Sequence, residues 1–154
     1  MNDTSPKAGM QNIVVERVFP HAPETIWKAL TTSEHMSRWL MVPMGFEPVE
    51  GKRFTFQTTP AGVWDGVIHC QVLEVIPNER FVYVWKSGNE SNVGYGSPLD
   101  TVVTFALSRV AEGTRVRLVN SGFVLPKNEM AFKNMSEGWK EFVWNLDTVA
   151  SEQN

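Results

Sequence analysis

Three observations predict an α+β fold in two layers. The chain opens on a segment of alternating apolar residues, its middle is rich in Val, Phe, Thr and Tyr between turn signals, and it closes on a long stretch with helical apolar spacing. Strand, two helices, several antiparallel strands and a long helix, in that order, put the helices on one side of a single curved sheet. With 154 residues, 42% of them hydrophobic, the chain fits one domain, which at this size buries roughly two-thirds of the surface exposed by the unfolded chain. That domain is expected over residues 13–150, after a flexible tail at 1–12.

The elements follow in order. Residues 13–19, IVVERVF, alternate as a strand does. Pro20 and Pro23 punctuate its end, and Ile26, Trp27 and Leu30 then recur at helical spacing, with Pro23 near the first turn where its missing N–H is harmless. Ser33 is placed to cap a second short helix whose apolar face is Met36, Trp39 and Leu40. From Gly45 onward RFTFQTT, WDGVIHCQVLEVI, RFVYVWKS, DTVVTFALSRV and GTRVRLVNSGFV read as strands. The connections PAG, IPNE, SGNESNVGYGSP and VAEG favour an antiparallel meander. Met135, Trp139, Phe142, Leu146 and Val149 then make one apolar helical stripe, which must lie on the sheet. Trp144 falls about 180° from Phe142 around that helix and is expected at its periphery.

Composition excludes several function classes. The net charge is −3, and the Lys and Arg residues are scattered without a basic stripe, so no nucleic-acid partner is expected. No apolar run approaches the ~20 residues that span a bilayer; the N-terminus is polar, so no membrane partner is expected and the cytoplasm is the expected location. The lone Cys70 excludes an intramolecular disulfide and a cysteine zinc cage. H-E-x-x-H, G-x-S-x-G, P-loop and Rossmann patterns are absent, and His21, His35 and His69 lack carboxylates at metal-ligand spacing. No catalytic residue, metal or cofactor is assigned.

What remains is a candidate cavity for a small hydrophobic molecule. Six Trp, nine Phe and seven Met supply large, adaptable side chains, with Trp39, Met41, Met44 and Phe46 clustered where helix passes into sheet. Strand alternation groups Val67, His69, Gln71, Leu73 and Val75 on one face, and Val116, Leu118 and Asn120 on one face of the later strand. If these are the faces toward the helix, His69, Gln71 and Asn120 are inward polar groups that must find a partner. Cys70 then falls on the opposite side with Val72 and Glu74. The candidate ligand-binding set is completed by the strand aromatics Phe54, Phe56, Tyr83, Trp85 and Phe105 and by Met135, Trp139 and Phe142 of the last helix. The stretches RWLMVPMGF and SGNESNVGYGSP are candidates for the mouth.

Successive motifs VVERVFPHAPETIWKALTTSEHMSRWL, EPVEGKRFTF, VLEVIPNERFVYVW, GTRVRLVNSGF and GWKEFVWNLDTV resemble, in order, those of the activator of heat-shock protein 90 ATPase C-terminal-like family, within the START and polyketide-cyclase superfamily. The resemblance runs from about Ile13 to Val149. It implies a helix-grip fold, a curved antiparallel sheet wrapped around a long C-terminal helix with a cavity between them. It also implies two alternatives to simple ligand binding: a co-chaperone-type module that contacts a chaperone in the stress response, or a cyclase or hydrolase. The family commonly has Gly-Gly before the RF strand, where this chain has Gly51-Lys52.

Overall fold

The computed structural model describes residues 9–153. Strand β1 (Met10–Phe19) leads into helices α1 (Pro23–Thr31) and α2 (Ser33–Trp39); strands β2 (Arg53–Gln57), β3 (Val67–Ile76), β4 (Arg80–Ser87), β5 (Leu99–Val110) and β6 (Gly113–Val124) follow, and α3 (Glu129–Ser151) closes the chain. The strands form one antiparallel sheet in the order β1-β6-β5-β4-β3-β2. Its concave face receives α3, so the helix-grip architecture is observed. β1 begins at Met10, inside the segment expected to be tail, because residues 10–12 pair with β6. Residues 1–8 of that tail lie outside the described residues.

α1 buries Ile26, Ala29 and Leu30, and α2 buries Met36 and Trp39. Ser33 is not the cap: Thr32 holds that position, and the Ser33 hydroxyl donates instead to the Phe46 carbonyl at 3.3 Å. Trp39, fully inside, donates its indole N–H to the Ala29 carbonyl at 2.9 Å, which ties the two helices together. At Gly51-Lys52 the positive φ of 88° falls on Gly51 alone. One glycine therefore suffices for the turn, and its N–H reaches Val72 O at 2.8 Å.

Two bulges set which residues face the helix. In β6, Gly122 is the extra residue opposite the Gln11–Asn12 step, so Asn120 and Phe123 both point inward. In β3 the register slips between Val72 and Glu74, leaving Leu73 unpaired. Before the bulge the inward residues are Ile68, Cys70 and Val72; beyond it Val75 turns in. The alternation expected from the sequence is thus inverted over most of β3. His69 lies exposed on the outer face, Gln71 lies half-buried beside it, and Cys70 is in the core. The cause is that both faces of β3 carry apolar residues, and Leu73 and Val75 were read in phase across a break in phase.

Cys70 and Tyr83 illustrate the interior. Burial pushes the Cys70 thiol up, away from the reactive thiolate. Burial first, and the Cys70 charge second, hold the Tyr83 hydroxyl well above its ordinary range. Folding therefore favours the protonated forms, and that stability is present below the unfolded thiol pKa and lost as pH rises above it. Urea denaturation should show the unfolding free energy falling by up to about 1.4 kcal/mol per pH unit from about pH 8.5. Between about pH 9 and 10, before an unfolded tyrosine titrates, Cys70→Ala should flatten that slope, and parallel curves would contradict the buried thiol.

Candidate functional site

α3 forms one wall of the interior, and its apolar spacing decides which part of it meets the sheet. Trp139, Val143, Leu146, Val149 and Ala150 are buried. Trp139 is the deepest anchor. Its ring makes edge-to-face contacts with Trp85, Phe105 and Phe142, with centroids 5.9, 6.0 and 5.6 Å away. Its indole N–H donates to Asn120 Oδ1 at 2.9 Å, and Asn120 Nδ2 donates to Val102 O at 3.2 Å. Asn120 is therefore a satisfied core side chain that locks helix to sheet, and not a polar atom offered to a ligand. Trp144, on the back of α3, is 65% exposed.

Toward the N-terminal half of α3 the packing opens into a cavity of about 230 Å³. From the helix side it is walled by Ala131, Asn134, Met135, Gly138, Trp139 and Phe142. The sheet contributes Ile68 from β3, Trp85 and Ser87 from β4, and Leu99 from β5, while Met41 closes the side below α2. The remaining wall is loop: Thr58 and Trp64 from the β2–β3 connection, and Tyr95, Gly96 and Ser97 from the β4–β5 connection. Among the described residues no Asp, Glu, Lys, Arg or His side chain lines it.

The two loops are laced together over the mouth. Asn92 accepts from Val63 N at 3.2 Å and donates to the Ala61 carbonyl at 2.6 Å. Tyr95 stacks edge-on against Trp64 at 6.0 Å and donates its hydroxyl to Thr59 O at 3.4 Å. Glycine is required at 96, whose φ is 85° and whose absent Cβ would sit 2.3 Å from Asn92 Nδ2. Asn128, at the N-cap of α3, donates to Pro98 O at 2.8 Å and accepts from Val124 N at 2.9 Å, so the helix start is pinned to the same loop.

Of the residues expected at the site, Met41, Trp85, Met135, Trp139 and Phe142 stand on this wall. Trp39, Phe46, Phe54, Phe56, Tyr83 and Phe105 are buried behind it, where an edge-to-face aromatic network fills the other half of the grip. Met44, His69 and Gln71 lie on the outer face of the sheet, beside Arg53 and Lys86. The expected polar convergence of His69, Gln71 and Asn120 inside the cavity does not occur. The expectation that 87–98 borders the mouth fits the geometry, and Met41 is the wall residue from 38–46. Trp64, Thr58 and Gly138 are not among the expected site residues: the first two fall at the ends of segments whose texture reads as strand but which the structure gives as loop, β2 ending at Gln57 and β3 beginning at Val67, and a helix glycine carries no periodic signal.

A second polar cluster lies at the far end of α3. His21 Nε2 stands 2.7 Å from Asp147 Oδ1 and 3.3 Å from Ser151 Oγ, while its Nδ1 is buried without a partner. Both partners share one ring nitrogen, so the relay of a serine triad, which needs the acid and the nucleophile on opposite nitrogens, is not built here. Among the described residues no cluster of three or more His, Cys, Asp or Glu is placed to hold a metal, and no helix is long and apolar enough to cross a membrane.

A family profile described as activator of Hsp90 ATPase homolog 1-like protein matches residues 20–151. The protein MLL2253 from Mesorhizobium loti superposes with a TM-score of 0.81 at 33% identity, over 94% of this chain and 99% of that one. The Aha1 dimer from Colwellia psychrerythraea (TM-score 0.68, 24% identity, 90% and 94% coverage) shares the fold. So does CalU16 from Micromonospora echinospora (0.69, 20% identity, 94% and 78% coverage). A search of curated proteins finds no match.

Proposed function

Because the chain belongs to the activator of Hsp90 ATPase homolog 1-like family and holds an uncharged aromatic cavity under its long helix, we propose that it binds a small, flat, hydrophobic molecule there without covalent chemistry. The observation that carries this reading is the wall itself: Trp64, Trp85, Trp139, Phe142 and Tyr95 surround a space with no ionisable acid or base apart from the Tyr95 phenol. Small-molecule sites are built in this way, as apolar walls with a few orienting polar groups. Here Thr58, Ser87, Ser97 and Asn134 supply the polar groups. The volume falls below the roughly 300–1,000 Å³ of drug-sized sites, which fits a ligand of one or two fused rings.

Gly138 supports the same reading. A glycine inside a helix costs about 0.5–1 kcal/mol relative to alanine. Its φ is not positive, and a Cβ built there would meet only Phe142 Cε2, at an ordinary 3.7 Å. Packing does not demand a glycine at this position, and the absent side chain leaves room on the cavity wall.

Chemistry on the ligand is disfavoured by the wall composition, since Ser87 and Ser97 have no histidine or carboxylate beside them in the cavity. A co-chaperone role rests on the resemblance alone. The test uses 2-naphthol as probe. At a hundred times its dissociation constant it should stabilise the folded state by about 2.7 kcal/mol, seen as a rise in melting temperature, whereas a charged analogue with the same ring system, 2-naphthalenesulfonate, should give no shift at the same concentration. Equal shifts, or none for 2-naphthol, would remove the cavity as the binding site.

A further inference from the structure

A second, open groove adjoins the cavity. Ser97 and Asn134 line the cavity from within and also line this groove of about 710 Å³, which runs outside, between the β4–β5 loop and the first turns of α3. The inner space is enclosed by rings and carries no charge. The outer one is lined by apolar and charged residues together.

Val93, 97% exposed, and Met130, 47% exposed, stand beside Pro98 and Pro126 as the apolar residues that line it. Gly94 keeps it open, because a Cβ there would stand 3.4 Å from the Met130 methyl and its φ of 77° is strained for any other residue. Glu90, Lys127, Glu129 and Lys133 are its charged residues. Lys133 is engaged with Glu129 at 3.3 Å, whereas Lys127 has no ion pair among the described residues. A bare ring system bound inside would leave this adjoining groove empty.

Resting on the cavity reading, we propose that the ligand is bipartite: a flat apolar head occupies the cavity, and an extended polar arm passes Ser97 and Asn134 into the groove, crosses Val93 and Met130, and ends in an anionic group at Lys127. The class is an amphipathic conjugate of an aromatic or fused-ring head with an acidic tail. Asn134 acts as the positioning residue at the turn between the two spaces, since its amide carries both donors and an acceptor.

Three probes test it by isothermal titration: 2-naphthol, 2-naphthol ether-linked to a tri(ethylene glycol) arm ending in a carboxylate, and the same arm ending in a methyl ether. The carboxylate conjugate should bind at least tenfold tighter than 2-naphthol. Lys127→Ala should bring the two conjugates to equal affinity, and Met130→Glu should weaken both conjugates at least fivefold with 2-naphthol unchanged. Both substitutions are at exposed positions, so folding is preserved. Equal binding of all three probes, or groove substitutions that weaken 2-naphthol as much as the conjugates, overturns the groove while leaving the cavity reading in place. If no probe binds, both fall.

Discussion

Replacing Trp139 by alanine should destabilise the domain by about 3–5 kcal/mol, since the lost transfer free energy of the ring and the cavity left behind add together. The ring is fully buried, in edge-to-face contact with Trp85, Phe105 and Phe142. Asn120 raises the cost, because its amide oxygen would lose the indole donor inside the core. Trp139→Phe separates these contributions: it keeps most of the apolar area and removes the donor, so it should cost about 1–3 kcal/mol. Trp144→Ala, on the exposed back of the same helix, should stay within about 0.5 kcal/mol of wild type. Urea denaturation of the three variants gives the ranking, and a near-neutral Trp139→Ala would break the helix-grip packing described here.

Gly138→Leu should move stability and binding in opposite directions. The leucine removes the helix penalty of glycine, worth up to about 1 kcal/mol, and its side chain enters the cavity from the helix wall. The melting temperature should hold or rise, while affinity for 2-naphthol should fall at least a hundredfold, about 2.7 kcal/mol. Thermal melts with and without probe read both effects on one sample. Loss of stability without loss of binding would show that Gly138 serves packing and that the ligand lies elsewhere.

The helices were legible in the sequence because their period is strong. Trp139, Leu146 and Val149 fall on the buried stripe as their spacing requires, although Val143 and Ala150 join it from one position over. The sheet was legible in strand number and in the meander from β2 to β6, though not in the pairing of β1 with β6, and its faces were legible wherever only one side is apolar: Val116, Leu118 and Asn120 point inward as expected. β3 failed on that test. A one-residue bulge reverses alternation without leaving a mark in composition, so His69 and Gln71 were aimed inward when Cys70 was. The helix half of the cavity could be read from period. The loop half, Trp64 with Tyr95 and Thr58, depends on contacts between segments some thirty residues apart, and no local pattern encodes such contacts.

The sheet order carries a consequence for synthesis. Among the described residues β1 pairs only with β6, Phe19 opposite Thr114 and Met10 opposite Val124. A nascent chain therefore holds β1, with its apolar Ile13, Val15 and Phe19, unpaired until β6 has left the ribosome. At about 5–20 residues per second that interval lasts roughly 5–20 s. During it β2 to β5 can zip as successive hairpins, and β1 is the segment that needs shelter from other chains. The final closure is a long-range event of the kind that slows folding, and α3, synthesised last, docks on the sheet that closure completes.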